Sequence, residues 1–423
     1  MNRQPFQTPP CWWSPCLSAR WMRLWRPMRR LRGMRHHGLS QVEVRGLEHV
    51  RGALDDGDGV LITPNHPTHA DPFVLVEASE QLGTPFYFMT AWQVFAMTHR
   101  LGRRVLRQHG CFSINREGHD LPAFRQAVGI LEDQPHPLVV FPEGEVFHLN
   151  DRVMPFRRGA ATMALRAARR RGRPIAIVPC GMKFLYVTDP TPGLLEVMDR
   201  LERHLSLMPR PETSLARRIH RAADEVLHRK ELEHLGGPRT GSLRRRSESL
   251  LYELLDRLER RYGAIDPCGT VPERVKQLRR RVIAKLESAE ESPQRDTFRR
   301  DLDELFLVMQ LFSYPTDYLI GQPSLERLAE TLDKLEEDVL GVRTAGRRGI
   351  CRAVLSFGEP VHVGPFDYGP GAARELTERI QSRVQRLVDE INASACDPVK
   401  TRPATADRTM ERVEPALTMP LAG

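Results

Sequence analysis

The chain has 423 residues, with 63 Lys+Arg against 54 Asp+Glu and a formal net charge of +9, which suits an anionic partner such as nucleic acid, a phosphorylated substrate or anionic lipid. Its 40% hydrophobic and 28% charged content excludes a wholly disordered or collagen-like chain and leaves ample length for a full core. No run of about 18 apolar residues occurs, so no membrane-spanning helix is expected, and the first forty residues lack the apolar stretch of a secretory signal.

Residues 1–40 are expected to form a basic, Trp-rich arm that associates with a membrane surface. No Asp or Glu precedes Glu43, whereas Arg20, Arg23, Arg26, Arg29, Arg30, Arg32 and Arg35 lie close together with Trp12, Trp13, Trp21 and Trp25. Trp21, Leu24, Trp25, Met28 and Leu31 recur at spacings of three and four, so they would line one face of a helix, kinked at Pro27. Trp favours the headgroup level of a bilayer and Arg its anionic lipid. The alternatives are a basic disordered arm or an organelle transit peptide.

From 41 to 190, and again from 347 to 395, strand and helix signals alternate. Strands are predicted at 60–63, 86–89, 111–114, 138–141, 175–178 and 353–357, with helices at 72–80, 121–132, 159–171 and 376–391. This predicts an α/β fold with a mixed, largely parallel sheet flanked by helices. Between 191 and 346 strand signals vanish. Leu325, Leu328, Leu332, Leu335 and Val339 keep a strict 3-4-3-4 spacing, and the segment reads as a large all-helical insertion into the α/β domain. A lid, a membrane-facing platform or an oligomerisation or partner-binding arm are the roles open to it. Residues 396–423 read as a disordered tail.

Four polar clusters each follow a predicted strand: Asn65 to Asp71, Asn115 to Gly118, Pro142 to Glu145, and Pro179 to Gly181. Ligands in open α/β sheets bind beyond the carboxyl ends of strands, so the four are expected to build one site. His66 suits a general base near neutral pH, and a carboxylate on its far ring nitrogen, Asp71, would fix the tautomer. Asp71 before Pro72 also fits a simple helix cap. No G-x-S-x-G occurs, so the base would act on a substrate hydroxyl. Arg116 offers a bidentate clamp for phosphate or carboxylate, or is a solvated loop residue. Glu143 could accept hydrogen bonds from substrate hydroxyls, Gly144 would permit close backbone approach, and Arg157 and Arg158 open a helix whose amides favour an anion. His66, His69 and Asp71 as metal ligands are the weaker alternative. The seven Cys are scattered without CxxC spacing, which points to a reducing compartment rather than a disulfide framework.

These residues resemble the glycerolipid O-acyltransferase family, which includes glycerol-3-phosphate and 1-acylglycerol-3-phosphate acyltransferases. Asn65-His66 to Asp71 looks like the family's H-x4-D motif, and Gly110 to Arg116 like its second block. Phe141-Pro142-Glu143-Gly144 resembles its third and Ile177-Val178-Pro179 its fourth. The resemblance implies that His66 and Asp71 are catalytic. It also implies that Asn65, Arg116, Glu143, Gly144, Arg157, Arg158 and Pro179 line the substrate site. A fatty acyl group would pass from acyl-CoA or acyl-carrier protein to a glycerol-phosphate-type acceptor, above all lysophosphatidate, giving phosphatidate. No metal or other cofactor is expected, the acyl thioester being a co-substrate. The implied setting is the cytoplasmic face of a membrane, with the enzyme peripheral and an anionic lipid surface as partner. Two departures stand out: Asn115 replaces a frequent Asp, and Glu145-Val146 replaces Thr/Ser and Arg. Arg152, Arg157 or Arg158 would then supply the missing cation. Another lysolipid, hydroxyl or amine acceptor, or a non-catalytic membrane scaffold, is the competing expectation, with a metal hydrolase behind it. Nucleic-acid binding is disfavoured, because the aromatics cluster at the terminus and no zinc-finger or RNP pattern appears.

Overall fold

In the computed structural model, which describes residues 11–118, 120–171, 173–263, 269–289, 293–342 and 344–395, the strand signals assemble into one sheet. Its strands are β1 (Leu39–Arg45), β2 (Gly59–Pro64), β3 (Tyr87–Ala91), β4 (Cys111–Ile114), β5 (Leu138–Val139), β6 (Ile175–Tyr186), β7 (Cys351–Phe357) and β8 (Val361–Val363). The order is β1-β7-β6-β2-β5-β3-β4, with β8 also on β6. Pairing is parallel except where β6 meets β7 and β8. The expected mixed, largely parallel α/β sheet is therefore present.

The first helices are α1 (Ala19–His37), α2 (Leu47–Asp55), α3 (Asp71–Leu82), α4 (Trp92–Ala96), α5 (Arg100–Gln108), α6 (Leu121–Asp133) and α7 (Gly159–Arg171). Then come α8 (Thr191–His204), α9 (Leu215–Leu235), α10 (Leu243–Tyr262), α11 (Val271–Ser288), α12 (Pro293–Ser313), α13 (Leu325–Leu340) and α14 (Ala372–Ala395). Successive strand residues point to opposite faces. Leu61 and Ile177 thus pack against α6, α7 and α14, while Ile62 and Val178 pack against α2, α3 and Met22 of α1.

The helical insertion has two cores. Leu250, Leu254, Leu278, Val282, Leu305 and Val308 join α10, α11 and α12. Leu194, Met198, Leu201, Ile219, Leu332 and Leu335 join α8, α9 and α13. Each such buried aliphatic side chain contributes about 1.5–3 kcal/mol.

Two expectations need correction, and one alternative falls away. The segment from Cys11 is packed on the fold, so the alternative of a disordered arm does not hold there. Trp13 stacks on Phe95 with ring centroids 5.2 Å apart, and its backbone exchanges hydrogen bonds with Ser113. Helix α1 runs on past Pro27, and its Arg26, Arg29 and Arg30 reach Glu77 and Glu80 of α3. The strand predicted at 175–178 extends to Tyr186, so Pro179, Cys180 and Gly181 lie inside β6 rather than after it. Proline is tolerated there because β6 changes partner at that point: β8 pairs through Ile177 and β7 begins opposite Cys180. The strand expected at 138–141 ends at Val139. Strands β1 and β8 are additional; β1 is an edge strand with no fully buried residue, although Val42 and Val44 alternate with Gln41, Glu43 and Arg45 as a strand should. The tail at 396–423 lies outside the described residues.

Between β5 and α7 the chain runs from Val140 to Arg158 without helix or strand, yet Phe147, Leu149, Val153, Met154 and Phe156 are buried. Buried amides need acceptors. Side chains supply them here. Asn150 N–H donates to Glu330, Asp151 N–H to the Tyr318 hydroxyl, Val153 N–H to Gln385 and Phe156 N–H to Gln381. Helices α13 and α14 therefore hold a coil that could not otherwise be buried. Replacing Gln381 with Ala should cost about 1–3 kcal/mol by stranding the Phe156 amide. Urea denaturation would read this as a lower midpoint at unchanged slope; an unshifted midpoint would show that water serves that amide instead.

Candidate active site

The loop after β2 carries His66 and returns to α3 at Asp71. His66 Nδ1 lies 2.6 Å from Asp71 Oδ2. The Asp71 carboxylate also accepts from Thr68 N–H at 3.2 Å and from the Thr68 hydroxyl at 3.1 Å. The N-cap position of α3 falls to Ala70, and the Asp71 carboxylate is turned back to His66 and Thr68, so the simple capping role falls away. Asp71 is fully buried, and burial raises its pKa against the pull of His66 and Thr68. The imidazole stacks on Phe141 with centroids 4.0 Å apart, and its side chain stays 17% exposed. Among the described residues nothing bonds to His66 Nε2. A ring held at one nitrogen by a buried carboxylate and open at the other can take a proton and return it.

Glu143 sits beneath this loop. Its Oε1 accepts from His66 N–H at 2.8 Å and its Oε2 from Met154 N–H at 3.3 Å. Both oxygens thus serve backbone amides, where the sequence suggested substrate hydroxyls. Burial pushes the Glu143 carboxyl up to about 8, against those two N–H bonds. Asn65 is likewise engaged: its amide donates to Met182 O at 2.9 Å and accepts from Met182 N–H at 2.7 Å, tying the loop to β6. Pro179 is buried opposite Thr63, with its ring against Gly358. These three hold the site from below.

Arg116, after β4, donates to Gly144 O and pairs with Glu145 at 2.7 Å. Gly144 has φ +75°, and a Cβ there would fall 2.7 Å from Arg157 Nε, so only glycine fits. Arg157 lies 3.8 Å from Glu145, and its buried Nε has no hydrogen-bond partner. Arg158 turns outward to Glu273 of α11 at 3.5 Å, and Arg152 pairs with Asp317 at 2.8 Å, so neither joins the cluster. Helix α11 brings two residues that sequence reasoning missed. Arg279 pairs with Glu117 at 2.8 Å, and burial together with Arg157 lowers the Lys276 pKa. Nothing local in the sequence links α11 to β4; only its packing does.

His69 leaves the pair and lies edge-on to His148, with centroids 5.5 Å apart. The alternative grouping of His66, His69 and Asp71 around a metal is not assembled.

An α/β sheet with a histidine–carboxylate pair beyond the end of a central strand defines a candidate transferase or hydrolase. Residues 41–183, about a third of the chain, match the family model described as Acyltransferase. That segment is an acyltransferase domain of the glycerolipid type, and the protein is an enzyme that transfers acyl groups. No curated protein matches the chain significantly.

The raised Glu143 pKa has a stability consequence. Between its ordinary value and about 8 the folded state holds a proton that the unfolded chain releases. Its stabilising contribution is therefore complete at pH 4 and is lost as pH rises towards 8. Urea midpoints between pH 5 and 8.5 should decline more steeply in the native protein than in Glu143→Gln; parallel declines would refute the assignment.

Proposed function

We propose that this enzyme transfers a fatty acyl group from acyl-CoA or acyl-carrier protein to the free hydroxyl of lysophosphatidate, giving phosphatidate. The carrying observation is the 2.6 Å contact of His66 Nδ1 with buried Asp71, set within an acyltransferase domain and leaving Nε2 open. His66 Nε2 takes the acceptor hydroxyl proton as the oxygen attacks the thioester carbonyl. The tetrahedral intermediate expels the thiolate, the carbon–sulfur bond breaks, and His66 returns the proton to sulfur. Asp71 holds the tautomer and stabilises the imidazolium. General-base assistance of this kind contributes about 10²–10⁴ in rate.

Arg116, Arg157, Lys276 and Arg279 form the acceptor-phosphate site, opposed by Glu117, Glu145 and Glu273. Four cations against three carboxylates leave positive charge for an anionic group. A second reading has support in one contact: Glu145 occupies Arg116 at 2.7 Å, which favours a different lysolipid, hydroxyl or amine acceptor. Thiol release from acyl-CoA and acyl-carrier protein, measured against lysophosphatidate, glycerol 3-phosphate, other lysolipids and an amine, separates the two. Lysophosphatidate should turn over fastest. His66→Ala should lose at least about 10²-fold in rate while remaining folded. Lys276→Ala should raise KM for phosphate-bearing acceptors about 10-fold with kcat little changed. Full activity in His66→Ala would overturn the base; a non-phosphate acceptor turning over fastest would replace lysophosphatidate.

The enzyme works as a peripheral protein on the cytoplasmic face of a membrane. No described helix is long and apolar enough to cross one. With Arg26, Arg29 and Arg30 turned to α3, helix α1 exposes Trp21, Leu24, Met28 and Leu31 as an apolar stripe. Such a stripe suits insertion at the headgroup boundary. Leu24→Asp with Met28→Asp should abolish co-flotation with phosphatidylglycerol vesicles without changing the melting temperature; unchanged flotation would exclude α1 as the docking face.

A further inference from the structure

Beside the His66 loop, three ligand-type side chains from three distant parts of the chain converge. His69 comes from the loop between β2 and α3, His148 from the buried coil before α7, and Glu337 from α13 of the helical insertion. One donor atom from each lies within 4.8 Å of the other two. His148 Nε2 and Glu337 Oε2 are 3.5 Å apart. A tetrahedral site with bonds of about 2.0–2.1 Å spaces its donors at about 3.3 Å, so a small contraction would bring the three onto one ion.

Two further features single the cluster out. His69 Nε2 is buried and has no hydrogen-bond partner, which ordinarily costs about 1–3 kcal/mol. His148 is one of two non-glycine residues among the described residues with positive φ, at +50°. Strained backbone of this kind persists where the surroundings hold it, and often where a side chain must be aimed. The cluster also borders a cavity of about 140 Å³ lined by His36, His37, Thr68 and Asp333, with room for a water at a fourth position.

We propose that His69, His148 and Glu337 bind a divalent transition metal ion of the zinc class, which pins the helical insertion to the loop that carries His66. Two imidazoles and one carboxylate are a donor set that such ions favour. The ion would supply the missing partner of His69 Nε2 and neutralise the buried Glu337 carboxylate. Its role is structural: the open His66 Nε2 needs no metal for proton transfer, and Asp71 already holds the other ring nitrogen. The site departs from the expectation of no metal. It shares only His69 with the H-x-x-H grouping considered from sequence, because His148 and Glu337 are remote in the chain.

The test uses the full-length protein, stripped with EDTA and titrated with Zn²⁺ or Co²⁺. One ion per chain, the visible absorption of tetrahedral Co²⁺, and a higher melting temperature on Zn²⁺ addition are expected. Glu337→Gln keeps the shape of the side chain and should weaken binding at least about 10-fold. His69→Ala should abolish the Co²⁺ spectrum without lowering the metal-free melting temperature, since it removes a partnerless imidazole. Failure to bind either ion stoichiometrically would reduce the cluster to a buried His148–Glu337 ion pair. Binding of equal strength in His69→Ala and Glu337→Gln would place the ion elsewhere. Neither result bears on acyl transfer, which is measured separately.

Discussion

The Glu143 carboxyl group joins the two parts of the molecule that matter most. One oxygen holds the amide of His66 and the other the amide of Met154, so the loop after β2 and the coil after β5 cannot move independently. The demand behind this is general: a buried amide without an acceptor is costly, and a loop buried at the end of a sheet has many. The carboxyl is itself buried, and its raised pKa reflects that. Asn65 repeats the device one residue earlier by spending both ends of its amide on Met182. Side chains that looked ready for substrate are thus the framework that sets the imidazole in place.

The helical insertion is no passive addition to the sheet. Phe147, Leu149 and Met154 of the buried coil belong to the same apolar core as α10, α11 and α12. Helix α13 provides Glu330 as an acceptor for Asn150 and Glu337 beside His148. Helix α11 sets Lys276 and Arg279 against the loops that carry Arg116 and Arg157. The acyltransferase match ends at residue 183, yet the electrostatics of the candidate site depend on residues up to 279. Variation in such an insertion would tune the neighbouring basic cluster while leaving His66 and Asp71 untouched.

Helix α1 shows how one segment can be read in two ways. Its basic residues suggested attraction to anionic lipid, but three of them are turned towards Glu77 and Glu80 of α3. These ion pairs, partly exposed, contribute modestly to stability. Their larger effect is orientation. They draw Arg26, Arg29 and Arg30 towards α3 and leave Trp21, Leu24, Met28 and Leu31 outward, beside Arg20, Arg23, Arg32 and Arg35, which stay exposed.

Local chemistry was enough to place the central strands, the long helices and the contact between His66 and Asp71. Side-chain periodicity and the return of a five-residue loop are short-range properties, and the H-x4-D pattern carries both. The extent of β6 was not legible, because a proline inside a strand reads as its end until the change of partner strands is known. Nor was the engagement of Glu143 and Asn65 with backbone amides, or the arrival of Lys276, Arg279 and Glu337 from the insertion. Those depend on which surfaces meet after more than a hundred intervening residues have folded. Sequence therefore determined the contact of His66 with Asp71 and the alternation of elements around it. Tertiary packing alone decided which charges surround that pair, because electrostatic neighbours are set by distance in space and not along the chain.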